Sequence, residues 1–289
     1  MQIDISKFGK GALVPKPDIR NYRYELIAGA VRQEEEFEGE SAFENVKDQG
    51  KSSSCVGQAI AEYAQVLNFI ETGEKLEFSA RDIYSKVCLP AGGAYTKDAL
   101  KKWINEGIVK EQDAVSYEGG NPPSEEFMRK RDDITKSEQE AGMPYAAKEY
   151  YTWDNTNFDI YRQAIRAGKG CPAIAKGNNV CWKKADLEVP TSESQCTWAH
   201  QILFISSKVY IRNGVEALKF LNHWGKDWGD FNYGYMPREY IEKGLVVFPC
   251  TVLDRPNTWY ANTIKYISIL KNLIDLWKKL LALKGRKTN

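Results

Sequence analysis

Apolar residues recur at 56, 59/60, 63, 66/67 and 70, a step of three to four that predicts a helix from Val56 to Ile70, stopped by Gly73. Ser79 is placed to cap a short helix running to Val87, and Lys97 to Glu106 predicts a third helix ending at Gly107. Residues 113–145 hold Gly119-Gly120-Asn121-Pro122-Pro123 and then many charges, the pattern of a surface-wrapping loop region. Phe158 to Ala167 again has helical spacing. Beyond it the pattern changes to short apolar runs separated by turns: Pro172–Ala175, Gln201–Ile205, Ala217–Leu221 and Tyr233–Met236 read as strands. Helices first and strands afterwards predict an α+β protein with a helical lobe and a sheet lobe. The expected organisation is a polar leader over 1–42, a body over 43–259 divided near residue 155, and a C-terminal helix over 260–289.

That last segment has its own pattern. Ile264, Ile267, Leu270, Leu273/Ile274, Trp277 and Leu280/Leu281 follow a helical step with lysines between them. The stretch from Ile264 to Asn289 carries +6, so the rest of the chain carries −5 to reach the overall +1. A basic amphipathic helix of this kind suits a membrane surface, a protein partner or the chain's own body, with residues 264–287 as the contact. The near-neutral total implies no nucleic-acid partner.

With 289 residues and 43% apolar content, the chain can bury a substantial core. No run of about 18 uncharged apolar residues is present, so no spanning helix is expected. Met1 to Arg20 lacks the apolar run of a secretory signal, which points to cytoplasmic residence, release by lysis or a place in a larger assembly. Six scattered cysteines without a C-x-x-C pair fit reduced thiols, and with two histidines in the chain a structural zinc site is not expected.

The candidate chemistry lies in an ordered set. Gln49 precedes Cys55 by six residues, His200 follows after 145 more, and Asn222 stands 22 residues beyond in Asn222-His223-Trp224-Gly225. A cysteine attacks a carbonyl as thiolate and needs a base or cation beside it. Its place at a helix N-terminus favours the thiolate through the macrodipole. His200 is the candidate base, Asn222 can fix its tautomer, and Gln49 with the Cys55 amide can receive an oxyanion. No metal or organic cofactor is needed. Each residue alone has an ordinary structural reading; their joint order and the Cys-to-His interval carry the signal.

Four segments resemble the papain-like cysteine peptidases. Val46-Lys47-Asp48-Gln49-Gly50 to Cys55 resembles the family's nucleophile run, and Gly92-Gly93-Ala94-Tyr95 with Glu106-Gly107-Ile108 its paired-glycine segment. Ala199-His200-Gln201-Ile202-Leu203 is similar to its histidine strand, and Asn222-His223-Trp224-Gly225-Lys226-Asp227-Trp228-Gly229 with Tyr233-Gly234-Tyr235 to its most specific motif. The resemblance implies a two-lobe fold with a cleft between a helical and an antiparallel sheet or barrel lobe. It implies that Cys55 comes from the first lobe and His200 and Asn222 from the second. Gly92 and Gly93 then meet substrate backbone, and Trp224 shields the His–Asn contact. Four positions depart from the family pattern: Val56 replaces an aromatic, Ser52 and Ala91 the two halves of one expected disulfide, and His223 a serine. His223 is expected to be a partly exposed spectator. Pro17 to Tyr24 looks like the short leader of prokaryotic and viral members.

The expected function is that of a cysteine endopeptidase acting on polypeptides. Two alternatives keep the frame: a catalytically weak binding or scaffold protein anchored by its C-terminal helix, and a hydrolase of cell-wall peptides or isopeptide bonds.

Overall fold

The computed structural model describes residues 4–16, 35–154 and 156–252. The helix expected over 260–289 and the Pro17–Tyr24 leader motif lie outside the described residues. The fold is α+β in two lobes.

The leader contributes a two-residue strand, β1 (Ala12–Leu13), and the helical lobe begins with α1 (Cys55–Thr72). Gly73 at φ +75° ends α1 by taking the left-handed position that a side chain disfavours. Next comes α2 (Ala80–Val87), where the Ser79 hydroxyl accepts the Asp82 amide as an N-cap. Then follow β2 (Ala94–Tyr95), α3 (Thr96–Glu106), α4 (Glu125–Arg129) and α5 (Lys136–Gly142). The predicted helices fall within a residue or two of these bounds. The region expected to be loop-rich also holds α4 and α5, each started by a hydroxyl N-cap, Ser124 and Thr135. Met128 and Ile134 anchor it to the body as buried apolar side chains.

After β3 (Tyr150–Thr152) and α6 (Phe158–Gly168), the sheet lobe is built from β4 (Cys171–Gly177), β5 (Trp198–Phe204), β6 (Tyr210–Arg212), β7 (Val215–Leu221) and β8 (Tyr233–Pro237). The chain continues through α7 (Arg238–Glu242), β9 (Val246–Val247) and β10 (Cys250–Val252). The main sheet runs β6-β7-β5-β4-β9, with β8 also on β7, and every pairing in it is antiparallel. One core gathers around α1 with α2 and α3; a second, rich in Trp182, Trp224, Trp228, Phe204 and Phe220, fills the sheet lobe. The six cysteines are all free thiols.

One feature of α1 departs from an ordinary amphipathic helix. Its polar stripe Gln58, Glu62 and Gln65, spaced at four and three, is as buried as its apolar face. A stripe with that spacing usually faces water. Here it is covered by the rest of the fold: Gln65 Nε2 donates to Ala42 O at 3.0 Å, and Glu62 meets His223. The helix therefore runs through the middle of the molecule, with Cys55 at its first position. Among the described residues no helix is long and apolar enough to cross a membrane.

Candidate active site

Cys55 sits where the Gln49–Ser54 turn enters α1. Ser52 closes that turn twice, its amide donating to Gln49 O at 3.1 Å and its hydroxyl to the same oxygen at 2.7 Å. His200 lies in β5 opposite Ala175 of β4, so regular sheet holds its backbone. Asn222 follows the last residue of β7 and brings Oδ1 to 2.7 Å from His200 Nε2. An amide oxygen only accepts, so Nε2 carries the hydrogen and Nδ1 is the basic nitrogen. Nδ1 is buried and has no hydrogen-bond partner among the described residues. Trp224 lies over the pair, its ring centroid 4.7 Å from that of His200, and is itself buried.

The turn carrying Asn222 is set by a residue the sequence reading missed. Asn232, at φ +73° and fully buried, accepts the Asn222 amide on its carbonyl at 2.9 Å and the Trp224 amide on Oδ1 at 3.0 Å. Its Nδ2 donates to Lys47 O at 2.9 Å, across to the helical lobe. Asparagine is among the few residues that take this backbone conformation readily, and an Asn ahead of Tyr233-Gly234-Tyr235 was the available signal. The two lobes are also stitched directly: Gln49 N donates to His223 O at 2.8 Å.

The cleft is filled by the chain's own leader. Gly9 N donates to Gly50 O at 3.1 Å, Ala94 N to Gly11 O at 2.9 Å, and β1 pairs with β2 in parallel. Gln49 Nε2, the expected oxyanion donor, gives its hydrogens to Gly9 O and Ser52 O, both at 2.8 Å. A leader carbonyl thus occupies the donor. Gly9 and Gly11 have to be glycine, because a Cβ at either would fall inside the radius of Ser52 O or Ser53 O. Gly93, at φ +75°, leaves room for Gly11 O in the same way. The Gly93 amide itself donates to Tyr84 Oη at 2.9 Å, so the leader's backbone bond falls on Ala94. Gly92, at φ +91°, lies beside Glu125, Ser53 and Arg129. On the opposite side Phe8 stacks on Trp224 at 5.4 Å, and Lys10 Nζ lies 5.6 Å and 5.4 Å from the rings of Trp198 and Trp224.

This burial reverses the expected electrostatics. The helix N-terminus was expected to favour the thiolate, yet burial pushes the Cys55 thiol up, outweighing the amides of Gln201, Gly11, Val56 and Ala12 that face the sulfur. Burial also drives His200 well below the usual histidine range, aided by His223 and Lys10 and opposed by Asn222. With the leader in place, burial disfavours the charged form of both groups. A second expectation also fails: His223 is fully buried, with Nδ1 2.8 Å from Glu62 Oε2. The α1 stripe that should have faced solvent faces this histidine instead. No group of His, Cys, Asp and Glu able to hold a metal ion occurs among the described residues.

A cleft between a helical and a sheet lobe, with a cysteine at a helix start and a His–Asn pair across from it, is the architecture of papain-like thiol peptidases. The chain belongs to the papain family of cysteine proteases, whose family model matches residues 32–247, and it is a cysteine peptidase. Xylellain, a cysteine protease from Xylella fastidiosa, shares 20% identity over 85% of this chain and 96% of its own, with a TM-score of 0.69. Digestive procathepsin L 3 from Tenebrio molitor larval midgut shares 16% identity over 85% of this chain and 76% of its own, with a TM-score of 0.62. A procathepsin B from Trypanosoma congolense shares 14% over 86% of this chain and 87% of its own, with a TM-score of 0.62. These likenesses establish the fold. No curated protein sequence matches the chain.

Proposed function

We propose that the chain is an endopeptidase in which Cys55 is the nucleophile, His200 the general base and acid, Asn222 the residue that orients His200, and Gln49 an oxyanion donor. The observation that carries this reading is the His200 ring: Asn222 Oδ1 takes Nε2 at 2.7 Å, leaving Nδ1 without a partner. The Cys55 sulfur is faced by the amide of Gln201, the residue next to His200.

The Cys55 thiol gives its proton to His200 Nδ1 as the sulfur attacks the substrate carbonyl carbon. The carbonyl electron pair moves onto oxygen, where Gln49 Nε2 and the Cys55 amide donate to it. Collapse of this adduct expels the amine half, which takes the proton from Nδ1, and a thioester remains. Water then gives a proton to Nδ1 and adds to the thioester; the acid half leaves and the proton returns to sulfur. Leader residues 8–13 act as a plug over these atoms, so turnover requires their displacement or removal.

The test is intact-mass labelling of the full chain with an epoxide probe for thiol peptidases, before and after limited proteolysis within residues 17–34. One label is expected, faster after cleavage, absent in Cys55→Ala and strongly slowed in His200→Ala. Labelling retained in Cys55→Ala overturns the assignment.

A further inference from the structure

Beside the proposed catalytic atoms lies a second buried polar pair. Glu62 stands two helical turns along α1 from Cys55, on the same side of the helix, and is 1% exposed. Its carboxylate Oε2 is 2.8 Å from His223 Nδ1. The other ring nitrogen, His223 Nε2, lies 3.1 Å from Gln201 O. A carbonyl only accepts, so Nε2 carries a hydrogen, while Nδ1 and the carboxylate make a close polar contact without the angles of a hydrogen bond. His223 thereby joins three parts of the site. Its backbone amide donates to Asn222 Oδ1 at 2.8 Å, the oxygen that holds His200. Its ring holds the carbonyl of Gln201, whose amide faces the Cys55 sulfur. Its ring centroid is 5.7 Å from that of His200.

We propose that Glu62 and His223 form a buried positioning pair that ties the Cys55 helix to the Asn222 turn and to the strand carrying His200. The proposal rests on the catalytic reading of Cys55, His200 and Asn222 given above. A carboxylate at a buried position of α1 is costly unless a polar partner across the lobe boundary meets it. Near Glu62 lie the His223 ring and the Lys47 ammonium, and Lys47 Nζ is 3.4 Å from Glu111 Oε2. Buried Glu62 and the partly buried Glu111 thus share these two neighbours. Tyr117 and Tyr233 border the same cluster, both feeling the Glu62 charge. On the far side His200 feels His223 and the leader's Lys10, both of which disfavour its charged form. Neutralising Glu62 or removing His223 therefore changes the field at His200 as well as the fit of the turn.

The experiment measures Cys55 labelling by the epoxide probe in the full chain from pH 4 to 9, for wild type, Glu62→Gln, His223→Ser and the double variant, with thermal melting alongside. Each single variant is expected to label at Cys55 alone, about tenfold more slowly, with the limbs of its pH profile displaced from wild type. The double variant is expected to be no slower than the worse single variant, as for two residues acting as one unit. Unchanged profiles overturn the proposal, and so does a lower melting temperature with an unchanged profile, which marks a purely structural pair. Labelling that survives Cys55→Ala overturns the catalytic reading instead, so the two failures are distinct. If neither single variant folds, the wild type decides: a slowly exchanging downfield proton bound to His223 Nδ1 in a histidine-labelled spectrum supports the pair, and its absence overturns it.

Discussion

The two walls of the cleft hold the leader by different means. The helical wall, Gln49 to Cys55 with Ala94, meets it through main chain: Gly9 and Gly11 bond to Gly50, Ala94 and the Gln49 amide. The sheet wall, Trp198 with Trp224, meets it through side chains, stacking Phe8 and receiving Lys10 over two indole rings. Backbone pairing accepts any extended chain that can come close enough, so its demand falls on small residues. The aromatic wall reads side-chain chemistry. The first wall thus selects for small residues, and the second for aromatic and cationic side chains.

Substitutions on each wall separate these roles. The largest effect belongs to Gln49→Ala on the helical wall. With the leader cleaved, kcat against an unfolded protein is expected to fall about 10²–10³-fold with little change in KM, since the amide donates to charge that develops in the transition state. An equal rise in KM would place Gln49 in ordinary binding. Next is Gly11→Val, which forces a side chain against Ser53 O. The uncleaved chain is expected to label about 5- to 150-fold faster than wild type, an overpacking cost of about 1–3 kcal/mol acting on the closed form alone. Unchanged labelling would remove the leader as the obstruction.

On the sheet wall, Phe8→Ala is expected to be milder. Loss of the stack on Trp224 is worth about 0.5–1.5 kcal/mol beyond area, so labelling of the uncleaved chain should rise up to about tenfold. A larger rise than Gly11→Val gives would invert the comparison. The smallest effect is a pH dependence of stability. His200 is fully buried and its folded pKa lies well below its ordinary value, so the unfolded chain binds the proton first. The contribution is complete above about pH 6.5 and is lost as pH falls below it, at up to about 1.4 kcal/mol per unit. Urea midpoints at pH 7 and 5.5 should show this loss in wild type and a reduced one in His200→Asn.

Much of the body was legible in the sequence because its signals are local. The three-to-four step of 56, 60, 63 and 67, the Ser79 cap and the Gly73 and Gly107 stops are set within a few residues, and α1, α2 and α3 form there. Of the ordered set Gln49, Cys55, His200 and Asn222, the structure pairs His200 with Asn222 and sets Cys55 at the start of α1. The surroundings of the set were not legible. His223 read as a partly exposed spectator and nothing marked Glu62, because burial of a polar residue depends on what a distant segment places over it. Asn232 carried only a weak turn signal.

Composition, periodicity and motif order determined by themselves that this is an α+β chain with a thiol, an imidazole and an amide in peptidase sequence. Those properties rest on short-range sterics and on residue identity. Tertiary structure alone decided that the leader lies in the cleft, that burial beneath it disfavours charge on Cys55 and His200, and that Glu62 meets His223 across the lobe boundary. The protonation of a buried group depends on how much water its neighbours exclude and which charges they bring within a few ångströms, and those neighbours lie tens to hundreds of residues away along the chain.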